Sequence, residues 1–457
     1  MYILIQAGQF LLSLSILVLL HEIGHFVFAR IFRTRVEKFY IFFNPWFSLF
    51  MKKIGETEYG VGWLPLGGYV KIAGMIDESL DREQMKQPAQ PWEFRSKPAW
   101  QRLLIMIGGV VVNFLLALVI YATTLYTWGE QYLPTKNLRY GIACDSLALS
   151  MGLQNGDKII SVDNQEIENF YLIVHDMILN NARSIQVDRN GEVVNISIPE
   201  NIVAPLLKSE EFISPRFPYY IGKFAKNSPA KDAGLEAGDK IVAVNGRQVE
   251  FFDQFVTGIA HLKDTFRILT GNQSFESLSV DITVLRDSTE HTYPVQLTPE
   301  GMIGVYADAD LSRFFELKKI EYTFVEAIPA GINKGFRTVI SYLKQLKLIF
   351  TPKTKAYESL GGFIKIGSIF PRVWDWHAFW NLTALISIIL AIMNILPIPA
   401  LDGGHVMFLL YEMITGRKPG DKFLEYAQIT GMVILLALLL YANGNDIVQI
   451  LHKAISR

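Results

Sequence analysis

Cysteine is nearly absent from this chain. Cys144 is the single one in 457 residues, which excludes an intramolecular disulfide and a cysteine-rich metal site. Charge imbalance is absent too: 43 Lys and Arg stand against 44 Asp and Glu, so no bulk polarity points to nucleic acid. Charge of either sign is sparse, at 19% of residues, while 50% are hydrophobic, which is apolar for a wholly soluble protein. No Lys or Arg precedes Arg30. That lack, the length of the first apolar run and the want of a small-residue cleavage site argue against a removable signal peptide. What the chain has instead is long apolar runs. Residues 3–28, 103–128, 379–400 and 427–443 approach or exceed the roughly 20 residues a bilayer-crossing helix needs. The expected fold class is a polytopic α-helical membrane protein with four transmembrane helices.

Basic residues set the expected orientation. Twelve Lys and Arg fall between Arg30 and Arg102, and the positive-inside tendency puts that stretch in the cytoplasm and the N-terminus outside. The second span returns the chain outward, so residues 129–375 are expected to be extracytoplasmic. The loop with Arg417, Lys418 and Lys422 agrees; Lys453 and Arg457 place some positive charge outside.

The extracytoplasmic block repeats itself. SLALSMGLQNGDKIISV (146–162) aligns with SPAKDAGLEAGDKIVAV (228–244) at an offset of 82 residues. A short helix ending at Gly152 or Gly234, a Gly-Asp turn and an alternating strand fit both copies. The period is too long for a solenoid and suits two copies of one small domain. The second copy, Ala233 to Gly246, resembles the A-G-L-x-x-G-D-x-I-x-x-V-N-G signature of bacterial protease-associated PDZ domains. The first carries Asp163-Asn164 in place of Asn-Gly. The resemblance implies peptide C-termini as ligands at a sheet edge, with RYGIA (139–143) and YYIGKF (219–224) as candidate loops. A filter or docking role without peptide is the other reading. Beyond the repeat, NKGFRTVISYLKQLKLIF (333–350) reads as a basic amphipathic helix, on a membrane surface or packed on the repeat block.

The first apolar run ends in LLHEIGHFVFAR (19–30). On a helix His21 and His25 are one turn apart and about 40° apart around the axis, so both imidazoles can reach one ion. Glu22 can then take a proton from zinc-bound water and pass it to the leaving nitrogen. Ionisable groups inside a membrane segment are costly and functional by default. The bland alternative is a pair of interfacial histidines with a snorkelling glutamate. Two histidines leave a catalytic Zn2+ one protein ligand short. NILPIPALDGGH (394–405) offers it: Pro397 and Pro399 should break the third span, and Asp402 follows. An odd number of spans returns Asp402 to the side of His25. The competing reading of Asp402-Gly403-Gly404 is a simple turn.

HEIGH near the N-terminus, N-x-x-P-x-P-x-L-D-G from Asn394 to Gly403, and a tandem repeat between them resemble the site-2 protease family of intramembrane zinc proteases. The likeness is to the bacterial branch with tandem PDZ domains, typified by regulator-of-sigma-E protease, and covers nearly the whole chain. It implies Zn2+ on His21, His25 and Asp402, Glu22 as acid/base, and Asn394 holding substrate. It also implies a β-hairpin re-entering the membrane. YGVGWLPLGGYVKIAGM (59–75) fits, with Gly67, Gly68, Tyr69 and Val70 meeting substrate; a surface hairpin is the other reading. One departure is Val110, where the pattern has Pro; Asn113 of the same motif is kept.

The expected organisation is 1–128 with two spans, zinc motif and linker, 129–212 and 213–310 as the PDZ-like pair, 311–375 as an amphipathic connector, and 376–457 with two spans and the third ligand. The expected activity is a multi-pass inner-membrane zinc endopeptidase with periplasmic N-terminus and PDZ pair. By resemblance, its partners are the bilayer and transmembrane segments of single-pass proteins, such as anti-sigma factors and remnant signal peptides, with the PDZ pair excluding bulky substrates. A non-catalytic PDZ scaffold and a secreted zincin are the alternatives.

Overall fold

A computed structural model describes residues 2–65, 67–75, 87–209, 211–308 and 310–455. Leu66 of the 59–75 segment, Arg82 and Lys86 of the basic linker, and Arg457 lie outside them. The chain divides into two units, residues 1–130 with 321–457 and residues 131–320.

The first unit is built on helices. α1 (Tyr2–Ile31) and α2 (Ala99–Trp128) are each 30 residues long. α3 is Phe324–Ile349, α4 Trp376–Ile395, α5 Asp402–Thr415 and α6 Asp421–Ile455. Among the described residues α1, α2, α4 and α6 are long and apolar enough to cross a membrane. In such helices association rests on close packing and interhelical hydrogen bonds rather than on water exclusion. Both occur here. A Cβ on Gly24 of α1 would collide with the Gly108 carbonyl of α2, so the two backbones are in contact. Thr383 Oγ1 donates to Ser13 Oγ at 2.9 Å, and Ser387 Oγ to the Asn113 carbonyl at 2.7 Å, tying α4 to α1 and α2. α4 ends at Ile395, two residues before Pro397, and Asp402 opens α5 rather than a bare turn.

The 333–350 helix is longer than its basic pattern suggested and starts at Phe324 behind a Thr323–Glu326 capping box. It packs on α2, where Gly331 and Gly335 admit Ala122 and Leu118 at distances no Cβ would allow. Its neighbour is therefore a membrane-length helix.

Between α1 and α2 lies a four-stranded sheet: β1 (Val36–Tyr40), β2 (Phe43–Ile54), β3 (Thr57–Leu64) and β4 (Tyr69–Ile72), in the order β2-β3-β1-β4. This corrects the expected 59–75 hairpin. β3 and β4 do not pair with each other; β1 lies between them, parallel to β3 and antiparallel to β4. The tight turn is at Gly55-Glu56, where Ile54 faces Thr57 and Gly55 has φ +62°. Between β3 and β4 the chain must pass β1, and Gly67 and Gly68 lead into β4. A Cβ on Gly68 would meet the Tyr40 and Ile41 carbonyls at 2.6 and 2.7 Å, so the glycine is what lets the chain pass. β4 is consequently an edge strand.

The second unit contains two cores. Ile142, Ile159, Ile173, Ile185 and Val187 belong to one; Ile241, Phe255, Ile282, Val284 and Val295 to the other. The Gly-Asp repeat has the same physical job in each. Asp157 takes bonds from Arg189 Nε and Nη2, both at 2.8 Å, and from the Gln154 N–H. Asp239, 82 residues on, takes them from Arg286 Nε at 2.7 Å and Nη2 at 2.6 Å, and from the Glu236 N–H. Each arginine also donates to the carbonyl of the repeat glycine, Gly152 or Gly234. Both carboxylates are almost fully buried and need these donors. In each copy a side chain caps the short helix before the turn: Asp145 on the Ala148 N–H and Ser228 on the Lys231 N–H.

Candidate metal centre

The chain brings His21, His25 and Asp402 together from opposite ends of the sequence. Helical spacing on α1 brings the two imidazoles edge to face, with ring centroids 4.8 Å apart. The break after α4 turns the chain back so that Asp402, at the first position of α5, faces them. His21 Nε2 and His25 Nε2 are 3.2 Å apart, and Asp402 Oδ2 is 3.2 Å from the first and 3.3 Å from the second.

That triangle has the dimensions of a metal site. Ligands about 2.0–2.1 Å from a tetrahedral Zn2+ are separated by about 3.3 Å, the tetrahedron's edge. Asp402 Oδ2 is buried and has no hydrogen-bond partner, so three acceptor atoms converge without a donor among them. His25 Nδ1 is 2.8 Å from the Ile105 carbonyl. A carbonyl only accepts, so Nδ1 carries the proton and the neutral ring keeps its Nε2 lone pair for the cluster. A bound dication resolves the convergence that these acceptors would otherwise pay for in repulsion. The residues present fit Zn2+.

Space for the rings comes from α2. A Cβ on Gly109 would lie 2.5 Å from His25 Nε2 and 2.6 Å from His21 Cε1. One turn later Asn113, 1% exposed, places Nδ2 3.4 Å from His21 Nδ1 and leaves Oδ1 buried without a partner. The amide's two ends are set by hydrogen bonding, and turned over it lets Oδ1 accept from His21 Nδ1–H. Each histidine thus has an acceptor behind it. Asn113 lies midway along a 30-residue apolar helix, which puts the cluster well below both helix ends.

A cavity of about 470 Å³ opens onto the cluster. His21, Glu22, His25 and Asp402 line it, as do Gly68, Tyr69 and Val70 at the β4 edge, and His405 and Gln428. Gly67 is not among its lining residues. Asn394, near the end of α4, sets Nδ2 3.3 Å from His21 Nε2 and so sits on the ligand side of the ring. The Ile105 carbonyl and Gln428 escaped the sequence reading, as did the place of Gly109, first residue of the motif that holds Val110 and Asn113, beside the histidines. Two had a signal in the sequence: the Gly108-Gly109 pair and Gln428 are a small and a polar interruption of apolar runs. A backbone carbonyl has none.

Comparison with known proteins finds relatives along nearly the whole chain. Residues 9–438 match Peptidase family M50. The chain is 29% identical over 462 residues to a Treponema pallidum protein named "Putative zinc metalloprotease", covering 96% of this chain and 98% of that one. It is 28% identical over 466 residues to the regulator of sigma E protease of Haemophilus influenzae, covering 97% and 98%.

Proposed function

Because this chain belongs to Peptidase family M50, a family of zinc metalloproteases, we propose that it is an intramembrane zinc endopeptidase acting on transmembrane segments of single-pass proteins. One observation carries the reading: a His-His-Asp triangle of metal-site dimensions with an adjacent glutamate, lining a cavity, on helices of membrane length.

His21, His25 and Asp402 hold the ion. When bound, Zn2+ lowers the pKa of a coordinated water to about 7 and polarises the scissile carbonyl. Glu22, in the same cavity wall, receives the water's proton and returns it to the leaving nitrogen. The open edge of β4 solves the substrate's problem. A helix in lipid keeps its peptide carbonyls in internal hydrogen bonds, and unwinding it there leaves several kcal/mol of unsatisfied groups. Pairing with Tyr69 to Ile72 replaces those bonds and lays an extended segment along the cavity. Gly68, Tyr69 and Val70 contact it, Gly67 shapes the connection, and Asn394 holds it beside His21.

We further infer that the two cores of residues 131–320 are PDZ-like domains, on the matching Gly-Asp signatures and their matching arginine clamps. They lie outside the inner membrane with the N-terminus and exclude substrates with bulky outer domains. Anti-sigma factors and remnant signal peptides are the substrate classes that fit. The test is cleavage of a single-pass model protein in proteoliposomes. Glu22→Gln should keep zinc and lose at least a hundredfold in rate. Cleavage at the wild-type rate would refute the mechanism.

A further inference from the structure

Gln428 is a carboxamide in α6, one of the membrane-length helices, and is 7% exposed. Polar side chains in such helices are retained for function. Its Oε1 accepts the Ala400 N–H at 3.2 Å. The donor there is a backbone N–H, so the oxygen end of the amide is fixed without ambiguity. Nε2 is then the end of the amide that does not meet the Ala400 N–H. It has no hydrogen-bond partner among the described residues, and Gln428 lines the same cavity as Glu22, Asp402 and β4. Nε2 is accessible, so its two N–H donors are open to a ligand.

The loop makes this orientation rigid. Ala400 has φ +77°, a left-handed conformation that L side chains rarely hold. One helical turn beyond Gln428, Gly431 lies so close to the Pro399 carbonyl that no Cβ fits. α6 is thus keyed to the segment between Asn394 and Asp402, and Gln428 cannot swing freely.

We infer that Gln428 is a substrate-binding residue whose Nε2 donates to a backbone carbonyl of the unwound substrate. The inference rests on the endopeptidase reading above and deepens it. An extended strand presents its N–H and C=O groups on two edges. β4 can satisfy one edge; the carbonyls of the other need donors from elsewhere, and in lipid no water supplies them. Gln428 supplies one, held in place by Ala400.

Two inhibitors separate this role from a merely structural one. Acetohydroxamate binds zinc alone; a hydroxamate carrying a Leu-Phe peptide also presents backbone carbonyls. In the full-length protein, Gln428→Met should weaken the peptidyl hydroxamate roughly three- to tenfold, the worth of one hydrogen bond. Acetohydroxamate affinity and zinc stoichiometry should stay at wild-type values. Gln428→Glu, assayed at pH 8, keeps an acceptor for Ala400 and removes the donor; it should weaken the same inhibitor. Equal loss for both inhibitors would mean that Gln428 acts only through the Asp402 loop, and unchanged peptidyl affinity in both variants would mean that it touches no substrate. Either result overturns the inference. The endopeptidase reading stands or falls separately, on Glu22→Gln.

Discussion

Gly109 lies against both metal-facing histidines, its missing Cβ marking a point 2.5 Å from His25 Nε2 and 2.6 Å from His21 Cε1. The candidate metal triangle is therefore shaped by α2 as much as by the α1 motif that supplies its nitrogens. Gly109→Ala puts a methyl group where the rings stand. Overpacking of this kind costs about 1–3 kcal/mol, and here the groups that must move are the ligands. The expected outcome is a roughly tenfold to hundredfold loss of zinc affinity, read by competition with a chromophoric chelator. Gly8→Ala, with open space around its Cβ, should leave affinity unchanged.

Asn113 gives a second prediction. Removing the acceptor behind His21 frees its ring and its tautomer. Partners of this type are worth about ten- to a hundredfold in metal affinity. Asn113→Leu should show that loss and Asn113→Asp, which keeps an acceptor oxygen, should retain most of the zinc. Equal zinc retention in both variants would remove Asn113 from the site.

The helix that carries Asp402 is anchored at its far end. Arg102 of α2 pairs with Glu412 of α5, with side chains 8% and 18% exposed, and Arg102 Nε also donates to the Lys97 carbonyl. Removing one partner of a buried pair strands the other charge, at about 3–5 kcal/mol. Glu412→Ala should lower the unfolding temperature of the purified protein and accelerate zinc loss. The double variant Arg102→Met, Glu412→Leu should recover most of the stability, because no charge is then left without a partner.

The candidate ligand cluster was legible because its chemistry is local in sequence or is marked by a breaker. His21 and His25 sit one turn apart; Asp402 follows two prolines. The four long helices were legible from apolar length alone. Strand order was not. Pro65, Gly67 and Gly68 look like a hairpin turn, and only the β1–β4 pairing shows that the chain must pass a third strand there. Composition of a turn does not say which strands it joins. The α5 helix was hidden for a related reason: Asp402-Gly403-Gly404 is turn-like, yet the glycines serve close packing, since a Cβ on Gly404 would meet the Ile398 carbonyl at 2.7 Å. Gln428 went unread because a lone glutamine in an apolar run acquires meaning only when its neighbours in space are known.

Asp239 and Arg286 allow a pH prediction with a definite sign. Burial acts to raise the Asp239 carboxyl, but the bonds from Arg286 and the Glu236 N–H outweigh it and hold the group below its ordinary value. A carboxylate whose folded pKa is depressed contributes stability above its unfolded pKa, about 3.9, and loses it as pH falls through the folded value. Local stability of residues 219–303 should therefore be flat from pH 7 to about 5 and fall below about pH 4. Arg286→Met inverts the dependence. Without the guanidinium, burial dominates, the folded pKa rises above the unfolded one, and protonation now favours the folded form. The variant should be less stable than wild type at pH 7 and should gain stability on acidification toward pH 5. Hydrogen exchange of the 219–303 amides in the full-length protein, corrected for the intrinsic rate at each pH, reads both slopes. Parallel slopes in the two proteins would show that the Arg286 clamp does not control the Asp239 carboxyl.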